Sequence, residues 1–167
     1  MAINILKNFN LTVDGRGEVG AIDEYTPPTF EILTEEYRGG GMDSADDIDM
    51  GMAPIEVMFK MNGYDLETMA LWGVGQGSSI PLTARGWLQD QDGVNTSIIH
   101  NMTGRITKME QEAWKAGERS GVVFTVRPKY FKITHGSTVI TEIDIKGSVR
   151  NINGTDQLAA MRSALGL

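Results

Sequence analysis

Apolar and polar residues alternate along most of the chain with a period of two. In Pro54 to Met61, Ile55, Val57, Phe59 and Met61 fall on one side and Glu56, Met58 and Lys60 on the other, which is the pattern of a half-buried strand. Thr29 to Tyr37 follows the rigid Pro27-Pro28 pair and reads as a second strand, with Glu31 and Glu35 on one side and Phe30 and Ile32 on the other. The Ile32-Leu33 doublet blurs its two faces. Ile80 to Gln89 and Thr96 to Met109 flank Asp90-Gln91-Asp92-Gly93, whose Asp-Gly step supplies the positive φ of a tight turn and predicts a long hairpin. Its second arm sets Ile98, His100, Met102 and Ile106 against Ser97, Asn101, Thr103, Arg105 and Thr107. Val122 to Thr134 and Thr138 to Ile145 predict another hairpin around His135-Gly136-Ser137, and Asn10 to Asp14 with Glu18 to Ile22 an opening one across Gly15-Arg16-Gly17.

Two segments change to helical spacing. Asp65 stands as an N-cap before Leu66, Met69 and Ala70, with Gly73 ending the turn. Near the C-terminus, Thr155 is placed to cap a helix with Leu158, Met161 and Leu165 on one face and Gly166 at its end. Arg38 to Ala53 (RGGGMDSADDIDMGMA) has too much glycine and aspartate for either period and reads as a long loop. Ordering such a loop costs on the order of 1 kcal/mol per residue without core burial to offset it, so a partner is expected to order it.

Composition narrows the function. A chain of 167 residues with 41% hydrophobic positions buries roughly 70% of its unfolded surface and is expected to form one domain over 1–167. With no cysteine it holds no disulfide, thiol nucleophile or Cys-ligated metal. The opening MAINILKNFNLTVDG lacks a basic stretch followed by an apolar block, so neither a secretion leader nor a membrane anchor is expected, and the reducing cytoplasm is the expected compartment. The formal net charge of -7 opposes tight binding of nucleic acid. That charge is unevenly spread: residues 14–67 carry 14 acids and 3 bases, the rest 8 acids and 12 bases. Such a split favours head-to-tail contacts between copies.

Candidate chemistry is sparse. Asp43, Asp46, Asp47 and Asp49 suggest a calcium loop, but an EF-hand pattern fails at Ala45 when started from Asp43, and at Gly51 and Met58 when started from Asp47. Gly39-Gly40-Gly41 and Gly73-x-Gly75-x-Gly77 lack the spacing, lysine and following helix of a phosphate cradle. His100 and His135 have no partner at catalytic spacing, and neither a G-x-S-x-G nor an H-E-x-x-H motif occurs. No catalytic residue, cofactor or metal is expected, and the chain is not expected to be an enzyme. Met42, Met50 and Met52 give the long loop an adaptable packing surface.

The loop carries a resemblance. Glu36-Tyr37-Arg38-Gly39-Gly40-Gly41-Met42-Asp43 followed by Ile48-Asp49-Met50-Gly51 resembles the major tail tube proteins of P2-type contractile-tailed phages and R-type bacteriocins. Leu6-Lys7-Asn8-Phe9-Asn10-Leu11, Trp114-Lys115-Ala116-Gly117-Glu118, Arg150 to Gln157, Met161-Arg162 and Leu165-Gly166-Leu167 are similar to the same family, so the likeness spans the chain. It implies a mainly β subunit, an antiparallel β-barrel or sandwich with one short internal helix and a C-terminal helix. It further implies stacked homohexameric rings forming a hollow tube, with sheath, tape measure, baseplate and tail terminator proteins as partners. The site would be the virion tail, built in the host bacterial cytoplasm, and DNA would pass through the lumen without specific binding.

Given that resemblance, Arg38, Gly39, Gly40, Gly41, Met42, Asp43, Asp46, Asp47, Asp49, Met50 and Gly51 are expected to form the inter-ring contact, within a loop at about 38–53, with Arg38 pairing to an acid of the next subunit. Glu31, Glu35, Glu56, Lys60, Thr83, Arg85, Asn101, Thr103 and Arg105 are the expected lumen-facing residues. Arg85 and Arg105 have a second reading, as cross-strand partners of Glu31 or Glu56. The main alternative is a monomeric β-sandwich ligand-binding module using Trp87 or Trp114; a small hydrolase built on His100 or His135 has no supporting spacing, and the hexameric tube component of a type VI secretion system, of the same structural superfamily, lacks the motifs quoted above.

Overall fold

The computed structural model of the chain describes residues 3–17 and 20–167. Strands β1 (Ile5–Val13), β2 (Arg16–Gly17), β3 (Ile22–Thr26), β4 (Ile32–Tyr37), β5 (Asp46–Met52) and β6 (Val57–Asn62) precede helix α1 (Leu66–Met69). There follow β7 (Ile80–Gln89), β8 (Asn95–Gln111), β9 (Gly121–His135), β10 (Thr138–Asp144), β11 (Val149–Ile152), β12 (Thr155–Asp156) and helix α2 (Ala159–Leu165). Every strand pair is antiparallel.

Strand β9 organises the architecture. All along one edge it pairs with β8, while its other edge is divided: Gly121–Val126 pairs with β6 and Tyr130–His135 with β10. The division falls at Pro128, which has no N–H to donate to a ladder, and there β9 carries a bulge, Lys129 being the extra residue opposite the Thr103–Gly104 step of β8. From there the sheet forks. One branch continues through β6 to β3, which touches β1 and so brings the sequence β1-β7-β8-β9-β6-β3 round into a barrel. The other branch, β10-β11-β12, runs on as an open flap.

The fork buries the core. Leu11 and Val13 of β1, Leu82 and Ala84 of β7, Met102 and Ile106 of β8, Phe124 and Phe131 of β9, and Val57, Phe59 and Met61 of β6 form one cluster. Phe59 stacks on Phe124 at 5.0 Å. His100 is also buried, with its Nδ1 2.9 Å from the Tyr25 hydroxyl. Burial pushes the Tyr25 phenol up and the His100 imidazole down, so both stay neutral as a core hydrogen bond.

Gly104 has a packing reason. A Cβ there would sit 2.5 Å from the Arg127 carbonyl oxygen and 2.7 Å from the Pro128 Cα, and backbone cannot swing aside as a side-chain tip can. Gly104→Ala is therefore expected to destabilise the monomer by about 1–3 kcal/mol, read as a lower urea midpoint at an unchanged slope.

Alternation located six strands close to their observed bounds, and the apolar side of Pro54 to Met61 is the buried side. The segment Arg38 to Ala53 is corrected: its second half is β5, which pairs with β4. Thr155 lies in β12 and caps nothing; the Leu158 N–H is taken instead by Asp156 Oδ1 at 3.0 Å, and α2 starts at Ala159. The opening hairpin turns at Asp14-Gly15, so Arg16 and Gly17 are strand, while Glu18 of the expected second arm lies outside the described residues.

Candidate assembly surfaces

The β4–β5 hairpin forms an arm whose residues are exposed from Ile32 to Gly51 apart from Gly39. Its register sets Tyr37 opposite Asp46, Glu36 opposite Asp47, Glu35 opposite Ile48 and Thr34 opposite Asp49. A two-stranded hairpin by itself is marginal in water, and this one further opposes like charges at Glu36 and Asp47. The tip closes locally: Arg38 Nε donates to the Met42 carbonyl at 3.0 Å, and the Gly39 N–H meets the Met42 sulfur at 3.2 Å. Gly41 supplies the positive φ of the turn.

Three contacts root the arm. Phe30 sets its ring edge-on to Phe131 at 5.6 Å, the Ala53 N–H donates to the Glu31 carbonyl at 2.9 Å, and Arg150 Nη2 of β11 pairs with Asp49 Oδ2 at 3.0 Å. The Gly51 N–H bound to Asp49, and then Arg150 beside it, hold the Asp49 carboxyl below its ordinary value. A lowered carboxyl contributes above the unfolded value, near 4, and loses that contribution as pH falls through the lowered one. The root is thus expected to hold at pH 5 and to loosen as pH falls through the lowered Asp49 value, and Arg150→Ala to loosen it at neutral pH. Amide exchange at Asp49 to Gly51 measures both.

A second surface covers the side of the sheet turned from the core. Across β1, β7, β8 and β9, register aligns Asn10 with Arg85, Thr12 with Thr83, Thr83 with Asn101, Asn101 with Lys132, and Thr103 with Tyr130. These residues share one polar face, on which Asn101 Nδ2 donates to Thr83 Oγ1 at 3.3 Å. Four expected lumen residues, Thr83, Arg85, Asn101 and Thr103, meet there. Glu31 and Glu35 belong to the arm segment instead, and Lys60 on β6 pairs with Glu112. Glu56 pairs with Arg127 at 3.0 Å and Arg105 donates to Gln76 at 2.9 Å, so the expected pairing of Arg85 or Arg105 with Glu31 or Glu56 is replaced by these contacts.

Large apolar side chains stand in solvent at a third place. Leu66 is 81% and Trp114 79% exposed, and Trp114 Nε1 donates to the Tyr64 hydroxyl at 2.6 Å. Among the described residues no three metal-ligating side chains come together, and no helix is long and apolar enough to cross a membrane. Sequence reasoning passed over Arg127 and Arg150 as partners of the expected acids. No local signal marks them, since Arg150 meets Asp49 from 101 positions away.

The fold is a forked antiparallel barrel with a hairpin arm held only at its root, a half-buried polar sheet face and exposed aromatics at Tyr64 and Trp114. The chain is a phage tail tube protein by class, a structural role. It belongs to the family described as Phage tail tube protein FII, which it matches over residues 3–166. The tail tube protein of Escherichia phage P2 is 26% identical, with 97% of this chain and 96% of that protein covered. The major tail tube protein of Serratia phage KSP20 is 27% identical, covering 97% and 95%. In fold, the chain is similar to one in the sheath-tube complex of the extracellular contractile injection system PVC in its extended state, with TM-score 0.60 and 12% identity over 75% of this chain and 87% of that one. A chain of the anti-feeding prophage baseplate has TM-score 0.54 and 9% identity, over 77% and 91%.

Proposed function

We propose that this chain is the repeating subunit of the inner tube of a contractile tail, closing into sixfold rings that stack head to tail. The observation that carries the reading is the arm. It projects two strands with both faces exposed, including Tyr37, Ile48 and Met50, which a lone monomer has no reason to keep and a neighbouring ring would cover. Residues 38–51 would form the core of that contact. The acid excess of residues 14–67 includes the arm and the base excess lies in the remainder, a split that favours head-to-tail contacts.

In this reading the polar face bearing Thr83, Arg85, Asn101 and Thr103 lines the lumen. Arg85 and Lys132 stand on it among neutral side chains, so it offers DNA no continuous cationic track, and a conduit works by not holding its cargo. In a headless, bacteriocin-like particle the same tube serves as the piercing channel. Sheath, baseplate, terminator and tape measure proteins are the expected partners, with assembly in the host bacterial cytoplasm.

Negative-stain electron microscopy with size-exclusion chromatography at rising concentration tests the reading. Hollow tubes or rings with sixfold end views are the expected result. A chain that stays monomeric at all concentrations, even when seeded with tube fragments, overturns it in favour of a monomeric binding module.

A further inference from the structure

Among the described residues two like-charge pairs are directly opposed in register, and each is unfavourable where it stands. On β8 and β9, Arg105 and Arg127 are directly opposed in register; on the arm, Glu36 and Asp47 are directly opposed. Like charges so placed repel across the ladder. Among the described residues the arginines share a single carboxylate between them, because Arg127 pairs with Glu56 while Arg105 donates to the neutral Gln76 amide. Among the described residues, neither Glu36 nor Asp47 meets a cation. We infer that the Arg105–Arg127 pair of one copy receives the Glu36–Asp47 pair on the arm of a second copy, an inference that rests on the arm being the inter-ring contact.

The arm itself supports the match. Asp49 sits two residues along β5 from Asp47 and therefore on the same side of the ribbon, and there it already grips an arginine, Arg150 of its own chain. That side carries one satisfied carboxylate at the root and two unsatisfied ones farther out. Residues opposed in neighbouring strands keep similar separations in any antiparallel ladder, about 4.5–5.5 Å between Cα atoms, so the two acidic and the two basic side chains leave their backbones at comparable spacing. Planar guanidiniums then offer paired N–H donors in the geometry that carboxylates accept. Arg127 keeps about half of its side-chain surface open to solvent, at 52%. Phosphate is the other anion that such a pair would hold. The arm is favoured because the acids that lack partners are present on the same chain in equal number.

Charge reversal provides the test, using full-length protein, pelleting of tubes and electron microscopy, with circular dichroism melting to confirm folding. Arg105→Glu with Arg127→Glu, and separately Glu36→Arg with Asp47→Arg, should each lower the pelletable fraction about tenfold or more. Combining all four substitutions in one chain should restore tubes, and mixing the two double variants should yield copolymers that neither forms alone. A folded fourfold variant and a mixture that both remain unassembled overturn the inference, while the arm reading survives if the armless chain also fails to polymerise. An armless chain that forms tubes overturns that reading itself. Double variants that form normal tubes overturn the inference too, and if DNA retention changes only with the arginine reversals, the pair belongs to nucleic acid.

Discussion

Removing residues 34–50 and joining Leu33 to Gly51 through a two-residue Asn-Gly turn is expected to abolish tube formation while leaving a folded, soluble monomer. The arm adds no residue to the buried core beyond the partly buried Met52 at its root. Its ion pair to Arg150 involves a half-exposed carboxylate, with Asp49 at 50%, and exposed pairs of that kind contribute little to stability. The melting temperature should therefore fall by no more than a few degrees. Assembly responds differently because the arms act together. If every subunit of a proposed six-membered ring loses even about 0.5 kcal/mol of contact, the ring loses about 3 kcal/mol, which is more than a hundredfold in the stacking constant. Sedimentation and electron microscopy of the folded variant decide the matter: tubes of normal length would show that the arm is dispensable.

The second large effect is expected at Phe131. This ring is fully buried and it also receives the edge of Phe30 at the foot of the arm. Phe131→Ala should cost about 3–5 kcal/mol through lost burial and the cavity left behind. Phe124→Ala provides the matched control, since Phe124 is equally buried but stacks on Phe59 instead. Both variants should melt at similarly reduced temperatures. Below those temperatures, Phe131→Ala should assemble more poorly, because a loosened foot lets the arm sample orientations that a neighbour cannot accept. Equal assembly by the two folded variants would mean that the Phe30 contact does not aim the arm.

Most of the barrel was legible along the chain. The alternation in β6 and β8 directly named the buried residues Val57, Phe59, Met102 and Ile106, because a strand with one wet face records its burial in every second residue. The Asp65 cap was equally local: its Oδ2 accepts from the Thr68 N–H at 2.8 Å, an interaction within four residues. The arm was harder to read because both faces of β5 are exposed, and a strand that buries neither side leaves no alternation. Its glycines and aspartates counted against a strand on propensity, and backbone pairing with β4 outweighed them. Thr155 misled for a related reason, since a local cap signal lost to pairing with Ile152 in β11.

Sequence alone determined the β class, the hairpin turns, the family likeness and the segment that serves as the candidate contact. All of these are encoded within a few residues, through the two-residue period, the Asp-Gly turn and short motifs. Tertiary structure decided which charges meet. Asp49 finds Arg150, Glu56 finds Arg127, and Arg105 is left facing Arg127, outcomes of register between segments far apart in the chain. It also decided where the barrel forks, at Pro128 against the bare Gly104, because a missing donor and a missing Cβ matter only once two strands lie side by side.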